Sequence, residues 1–397
     1  MIFLLLGCSL LGLMLLLPTL SDLLSLAATG FGRPSAPRAA PGPGEVPRLL
    51  VLVPAHDEEM LLAACLQSLM RLRYPADRYS ITVIADNCTD RTAGVARAAG
   101  VRCVERTDPA RPGKPRAIAW ALQQLSIAEY DAVVIVDADT VVAPDFAAAL
   151  AKAAPLDGKA MQGYFDVHNR TETALTRLAA VLAAANHRFA YPLKKRAGLN
   201  TPLVGNGMCI GTRVLLQHGW RAFSICEDWE LYAQLTERGI PIECMPDAVV
   251  YAQAAHTLRA SLSQRQRWTA GKLTVFARSG LPILRSGRIS LRQKLDAIAE
   301  LSALGPVLHL SLGALLIGVS LACRFPTALT LVFGASLFRP LAYTVAALRV
   351  QPDPAATIAA FAFLPVYALW RIGAAVAALK MLGEKPWIRS ERHHHVT

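Results

Sequence analysis

Residues 131–139 read Asp-Ala-Val-Val-Ile-Val-Asp-Ala-Asp, an apolar run closed by two carboxylates with a single residue between them. A short apolar run that stops at a polar turn has the pattern of a buried strand. The same pattern occurs at 48–55 (RLLVLVPA) and at 79–87 (YSITVIADN), and the segment 60–72 (MLLAACLQSLMRL) carries apolar residues at helical spacing. Strands alternating with helices predict an α/β fold with a mostly parallel sheet and right-handed crossovers. In such a sheet ligands bind beyond the carboxyl ends of the strands. Asp137 and Asp139 are therefore placed to share a hard divalent cation, Mg²⁺ or Mn²⁺.

Two further loops open on the same sheet edge. Pro54-Ala55-His56-Asp57-Glu58 follows the first strand, and Asp86-Asn87-Cys88-Thr89-Asp90 follows the second. Asp86 can accept a hydrogen bond from a nucleobase imide, whereas Asp90 suits the cap of the next helix. Pro112-Gly113-Lys114 stands just before a helical stretch, where a lysine on a glycine turn matches phosphate oxygens. Downstream, Gly205-Asn206-Gly207-Met208 forms a compact turn that lets backbone approach a ligand closely. Cys226-Glu227-Asp228-Trp229-Glu230 opens a helical run. An acid there can act as a general base, and an acid at a helix start is also favoured by the dipole alone. In Gln264-Arg265-Gln266-Arg267-Trp268, residues 264, 267 and 268 share one helix face. They offer donors to a leaving diphosphate and a flat ring to a sugar. An amphipathic helix beside a membrane would carry the same residue types.

Composition points to lipid. The chain has 397 residues, 53% hydrophobic and only 18% charged, against about 25% charged in soluble domains. Residues 1–29 read as a transmembrane anchor, 30–47 as a Pro/Gly linker, 48–270 as the α/β domain, and 299–382 as about three further membrane helices. Within 301–323, 325–348 and 355–379 the ionisable residues are His309, Arg339 and Arg371. Between the domain and these helices, 271–298 is basic and amphipathic, with Lys272, Arg278, Arg285, Arg288, Arg292 and Lys294 interleaved with Ile283, Leu284, Ile289 and Leu291. Such a segment suits an anionic membrane surface. Residues 383–397 form a basic tail. The positive-inside bias puts the α/β domain in the cytoplasm, on a multi-pass protein of the inner cell membrane. Three crossings after a cytoplasmic domain would carry the basic tail outside, so one stretch is expected to be re-entrant or interfacial, with Arg339-Pro340 marking the weakest.

The net charge of +12 suits nucleic acid, an anionic membrane or a phosphorylated ligand. The excess clusters around the terminal apolar stretches and the linker, not on an aromatic platform, which argues against nucleic acid. The eight cysteines include no CxxC pair, so neither a zinc ribbon nor a disulfide framework is signalled.

Taken in order, these motifs resemble the membrane-bound branch of glycosyltransferase family 2, which includes cellulose, hyaluronan, chitin and poly-N-acetylglucosamine synthases and the ceramide glucosyltransferases. Gln264, Arg267 and Trp268 match the family's Gln-x-x-Arg-Trp signature, and Asp137 and Asp139 match its Asp-x-Asp. Cys226-Glu227-Asp228 matches its Thr-Glu-Asp with cysteine in the first place. The resemblance covers about 48–285. It implies a GT-A nucleotide-sugar-binding domain at 48–270 and an inverting, metal-dependent transfer from a nucleotide sugar, UDP-linked by expectation, to a lipid or polysaccharide acceptor in envelope or exopolysaccharide synthesis. Asp228 would be the base, and Asp137 and Asp139 the metal ligands. Pro54, His56, Glu58, Asp86, Lys114, Asp137, Gln264, Arg267 and Trp268 would hold the donor. Gly205, Asn206, Glu227 and Trp268 would meet the acceptor. The implied partners are the donor, the acceptor, membrane lipids and other polysaccharide-synthesis subunits. Ala85 before Asp86, and Pro115-Arg116 after Lys114, depart from the family pattern. A silent scaffold subunit of a synthase complex is the alternative; it would keep the fold and lose the acids, and all three of Asp137, Asp139 and Asp228 are present.

Overall fold

The computed structural model describes residues 2–30 and 46–382. Residues 31–45 of the linker expected at 30–47, and the basic tail at 383–397, lie outside the described residues. At the centre is one eight-stranded sheet built from β1 (Leu49–Ala55), β2 (Tyr79–Asp86), β3 (Arg102–Arg106), β4 (Ala132–Ile135), β5 (Val141–Val142), β6 (Ala160–Val167), β7 (Met208–Gly211) and β8 (Ile242–Ala252), in the order β3-β2-β1-β4-β7-β6-β8-β5. The β3-β2-β1-β4 half is entirely parallel. β7 runs antiparallel to both β4 and β6, while β6 and β8 are parallel.

Alternation along the strands divides the core. Leu50, Leu52, Val133 and Ile135 face one layer; Leu49, Val51, Val53, Ala132 and Val134 face the other. The second layer is closed by α2 (Leu62–Met70), α3 (Thr92–Ala98) and α5 (Phe146–Ala151). The first is closed by α4 (Lys114–Gln124), α8 (Thr212–His218) and α9 (Glu227–Glu237). Sheets with helices on both faces bury their strands fully, which is why these strands read as apolar runs. Between β6 and β7 the chain makes α6 (Ala174–Ala184), a π-helical turn (Ala185–Ala190) and α7 (Tyr191–Arg196).

The remaining helices are α1 (Ile2–Gly30), α10 (Leu258–Arg285), α11 (Leu291–Ser302), α12 (Pro306–Ala322), α13 (Thr327–Ser336), α14 (Phe338–Leu348), α15 (Pro354–Ala360) and α16 (Leu364–Ala378). Among the described residues, three segments are long and apolar enough to cross a membrane: α1, the α13–α14 stretch at Thr327–Leu348, and the α15–α16 stretch at Pro354–Met381. α11 and α12 qualify only together, as a pair bent by 90°. The stretch with the irregular geometry is therefore 301–323, and the one holding Arg339-Pro340 is long enough on its own.

Arg339 is satisfied inside the protein. Its Nε donates to Asp22 Oδ2 of α1 and its Nη2 to Glu300 Oε1 of α11, each at 2.7 Å. Lys194 of α7 pairs with Glu300 at 3.2 Å and with Asp296, and Ser21 Oγ donates to Asp296 Oδ1 at 2.6 Å. This buried cluster ties α1, α11 and α14 to α7, an element of the sheet domain. A charge in an apolar stretch is tolerable where partners neutralise it.

Candidate active site

Because β1, β2 and β4 are parallel, the loops that follow them open on one edge. His56 Nδ1 donates to the Asp86 carbonyl at 2.7 Å, joining the first two loops. Glu58 is buried, and its N–H donates to Thr92 Oγ1 at 2.7 Å. Asp90 Oδ1 accepts the N–H of Thr92, the first residue of α3, at 2.8 Å; the N-cap position itself falls to Arg91, not to Asp90 as expected. Asp57, Cys88 and Asp90 bring their ligand atoms within 4.8 Å of one another. Asp57 Oδ1, however, accepts the N–H groups of Thr89 and Asp90, and Asp90 Oδ2 that of Glu59. These acids build the loop.

Asp86 is buried at the end of β2. Its Oδ1 accepts from Arg106 Nη1 at 2.5 Å and its Oδ2 from the Gly113 N–H at 3.3 Å. Arg106 also holds Asp108 and the Arg111 carbonyl, each at 2.8 Å. Sequence reasoning missed Arg106, since nothing in a lone arginine on β3 shows that β3 will pair beside β2. The only available signal was an arginine in a strand that turns out to be an edge of the sheet.

The central contact is made by Lys114, the first residue of α4. Its Nζ lies 2.6 Å from Asp137 Oδ1 and 3.5 Å from Glu227 Oε1, and it donates to the Gly205 carbonyl. One ammonium thus joins the end of β4, the turn before β7 and the start of α9. Burial alone would lower its pKa, but Asp137, Glu227 and Asp228 outweigh burial and hold Lys114 above the usual lysine range. Gly205 has φ +81°, and a Cβ there would sit 3.3 Å from Asp228 Oδ2 and 3.7 Å from Lys114 Nζ. The turn can pass this close only without a side chain. β7 brings it here because it runs antiparallel to β4, which sets the residues before β7 against the carboxyl end of β4.

Asn206, expected to meet the acceptor, lines the cavity and also bonds to the acidic turn. It is buried; its Oδ1 accepts the Asp137 N–H at 3.2 Å and its Nδ2 donates to Thr140 Oγ1 at 2.7 Å. Both ends of the amide brace the Asp137–Thr140 turn. Thr140 Oγ1 also lies 3.5 Å from Asp139 Oδ1. Asp137 and Asp139 are hard oxygen donors on a turn fixed in this way, and that donor set fits Mg²⁺ or Mn²⁺.

Asp228 follows Cys226 and Glu227 at the start of α9. It keeps one side open to the cavity and is enclosed by protein elsewhere; this burial, with the adjacent Glu227 carboxylate, pushes its pKa up to about 7. α9 is docked on α10 through Cys226, whose Sγ lies 3.9 Å from the Arg267 carbonyl and 3.8 Å from that of Trp268. A Cβ on Gly271 would come within 2.6 Å of that sulfur. Cysteine in place of threonine is thus a packing contact between the two motifs. Lys272, one residue on, lies 3.9 Å from the Trp229 ring centroid and donates to the Ala303 carbonyl at 2.7 Å.

All of these groups line one cavity of about 1700 Å³: Pro54, His56, Glu58, Asp86, Lys114, Asp137, Asp139, Gly205, Asn206, Glu227, Asp228, Gln264, Arg267 and Trp268. Trp268 is 42% exposed, open to a ligand. The cavity is also lined by His187 of the π-helical turn, by Lys272 and by side chains of the C-terminal helices, none of which carries a sequence signature.

A model described as glycosyltransferase-like family 2 matches residues 47–271. The chain belongs to this family. Two relatives named as sugar-transferring enzymes are similar over more than half of the chain. A β-monoglucosyldiacylglycerol synthase from Nostoc sp. is 27% identical over 238 residues, 57% of this chain and 49% of the relative. An N-acetylglucosaminyltransferase from Rhizobium leguminosarum bv. viciae is 30% identical over 293 residues, 68% of this chain and 64% of the relative. The chain therefore spans about half to two thirds of the length of these curated relatives. The fold is shared with the mannosyltransferase PcManGT from Pyrobaculum calidifontis, solved with GDP-Man and Mn²⁺, at a TM-score of 0.60 and 20% identity over 94% of this chain and 98% of that one. The sheet domain is accordingly GT-A-like, as the motif order predicts.

Proposed function

We propose that this protein is a membrane-bound, inverting transferase that moves a sugar from a nucleotide sugar, UDP-linked by the motif resemblance, to a lipid or polysaccharide acceptor. The observation that carries this reading is the convergence of Asp137, Lys114, Glu227 and Asp228 with Gln264, Arg267 and Trp268 around one cavity. About 300–1,000 Å³ suffices for one small ligand, so a cavity of about 1700 Å³ has room for donor and acceptor together. By their names, one relative makes a glycosylated diacylglycerol, which supports a lipid acceptor, and the other transfers an amino sugar, which supports sugar transfer as such. PcManGT holds GDP-Man with Mn²⁺, which supports a nucleotide-sugar donor and a divalent cation here.

The chemistry follows from the placement of the groups. An acceptor hydroxyl attacks the anomeric carbon while the bond from that carbon to the donor diphosphate breaks. The hydroxyl proton passes to an Asp228 oxygen. A base with a pKa near the working pH suits this task, and burial supplies that pKa. Lys114, Gln264 and Arg267 face the charge that grows on the departing diphosphate, and fixed charge of this kind is a large catalytic contribution. A Mg²⁺ or Mn²⁺ held by Asp137 and Asp139 would add Lewis-acid neutralisation of the diphosphate.

The exposed Leu281, Leu284, Leu291 and Leu295 lie among the cations of 271–298. That arrangement supports seating the sheet domain on the anionic cytoplasmic face of the cell membrane. The presence and convergence of the acids weigh against a silent scaffold.

The direct test incubates membranes containing the protein with a panel of UDP- and GDP-sugars and follows nucleotide release and product. Asp228→Asn is expected to bind the same nucleotide and to lose transfer by about 10²–10⁴-fold. Full turnover in that variant would remove Asp228 from the role.

A further inference from the structure

Beyond the reacting acids the cavity changes character. Leu178 and Leu182 of α6, Leu304 and Val307 near the start of α12, and Phe361 and Leu364 from the C-terminal helices make one wall apolar. Phe361 and Leu364 belong to the Pro354–Met381 stretch, which is long and apolar enough to cross a bilayer. Two guanidinium groups line this same reach, Arg265 of α10 and Arg371 of α16. Thr269 joins them: it accepts from Arg371 Nη2 at 2.8 Å and donates to the Arg265 carbonyl at 2.8 Å. Arg265 and Thr269 are one helical turn apart, so both arginines gather on one face of α10. The Arg265 guanidinium lies over the Trp268 ring, 4.9 Å from its centroid.

Neither arginine has a carboxylate partner among the described residues. Arg265 Nε and Arg371 Nη1 are buried with no hydrogen-bond partner in the protein. Unpaired buried N–H groups are costly, and two like charges held close in an apolar wall call for an anion. Guanidinium forks match phosphate oxygens, and a cation in a membrane segment usually marks function.

We propose that Arg265 and Arg371 bind the phosphate of the acceptor, and that the acceptor is a glycerophospholipid whose headgroup also bears a free hydroxyl. This rests on the transferase reading above and narrows its acceptor to one lipid class. The acyl chains lie along the apolar wall, the phosphate sits on the arginine pair, and the headgroup hydroxyl reaches Asp228. That hydroxyl oxygen bonds to the anomeric carbon, its proton goes to Asp228, and the nucleoside diphosphate leaves.

The test uses the full chain in neutral detergent. Retention of phosphatidylglycerol and of diacylglycerol is measured by native mass spectrometry, with soluble glycerol phosphate as competitor, and nucleotide binding is measured by titration on every variant. Phosphatidylglycerol is expected to be retained at least tenfold more tightly than diacylglycerol, and free glycerol phosphate is expected to compete only weakly. Arg371→Gln and Arg265→Gln should each abolish that preference while nucleotide affinity moves less than twofold; Arg371→Lys, which keeps the charge, should restore part of it. In turnover, kcat/KM for phosphatidylglycerol should fall at least tenfold in the glutamine variants. Equal retention of the two lipids, an unchanged preference in the double glutamine variant, or competition by glycerol phosphate as strong as that by the phospholipid would each overturn the proposal. Nucleotide-sugar turnover with diacylglycerol or a glycan but not with phosphatidylglycerol would overturn it and leave the transferase reading intact. Retention of phosphatidylglycerol on the arginine pair without turnover of any nucleotide sugar would overturn the acceptor role and the transferase reading together, leaving a lipid-binding site.

Discussion

At the residue scale, the site depends on how burial and neighbouring charge set the protonation of Asp228. Its carboxyl is pushed up to about 7, by burial first and the Glu227 charge second. Below that pH the group is protonated and cannot accept the hydroxyl proton; above it the group is ionised and can. kcat/KM is therefore expected to rise with pH through about 7, since that profile reports the free enzyme. Glu227→Gln removes the neighbouring charge and should move the rise to lower pH. A profile flat from pH 5 to 8 in the parent protein would count against Asp228 as the base. The acid itself was legible in the sequence, as one of three carboxylates at a helix start. Its raised pKa was not, because the burial that comes first among its causes depends on segments such as the turn at Gly205, over twenty positions away, and has to outweigh the opposing charge of Lys114.

At the element scale, two joints decide whether the site assembles. The first is the contact of α9 with α10 through Cys226 and Gly271. A methyl group on Gly271 would sit 2.6 Å from the sulfur and 2.7 Å from its Cβ, so the start of α9, with Glu227 and Asp228, must shift. Misplacement by about 1 Å can cost about 10²-fold in rate. Gly271→Ala should therefore lower kcat by about one to two orders of magnitude while the secondary structure seen by circular dichroism is kept; unchanged kcat would show that the joint yields freely. The second joint is the buried cluster of Asp22, Lys194, Asp296, Glu300 and Arg339. Removing one partner from a buried ion pair costs about 3–5 kcal/mol. Arg339→Ala strands Asp22 and leaves Glu300 with Lys194 alone and should depress thermal stability in detergent accordingly, whereas Arg324→Ala, on the loop between α12 and α13, should change little. Equal melting temperatures for the two would mean the cluster is not dry. Sequence reading marked Arg339 as the weak point of an apolar stretch; with its partners on other helices, it is a clasp.

At the scale of the whole molecule, the cavity joins the sheet edge proposed to hold the nucleotide to helices of membrane length, and the proposed metal site lies at the sheet end. Stripping divalent cations with EDTA is expected to stop transfer, and Mg²⁺ or Mn²⁺ to restore it. Transfer that persists after exhaustive chelation would assign Asp137 and Asp139 a purely structural part beside Lys114.

Read alone, the sequence determined the apolar strands, the acids at their ends and the shared face of Gln264, Arg267 and Trp268. Each of these follows from contiguous residues, through side-chain alternation or helical spacing. It did not determine that β7 would enter the sheet antiparallel beside β4, that Arg106 would hold Asp86, that Lys114 would bridge Asp137 and Glu227, or which charges would neutralise Arg339. Those are pairings between distant segments, chosen by the packing that best satisfies buried charge and backbone, and only the folded chain makes that choice.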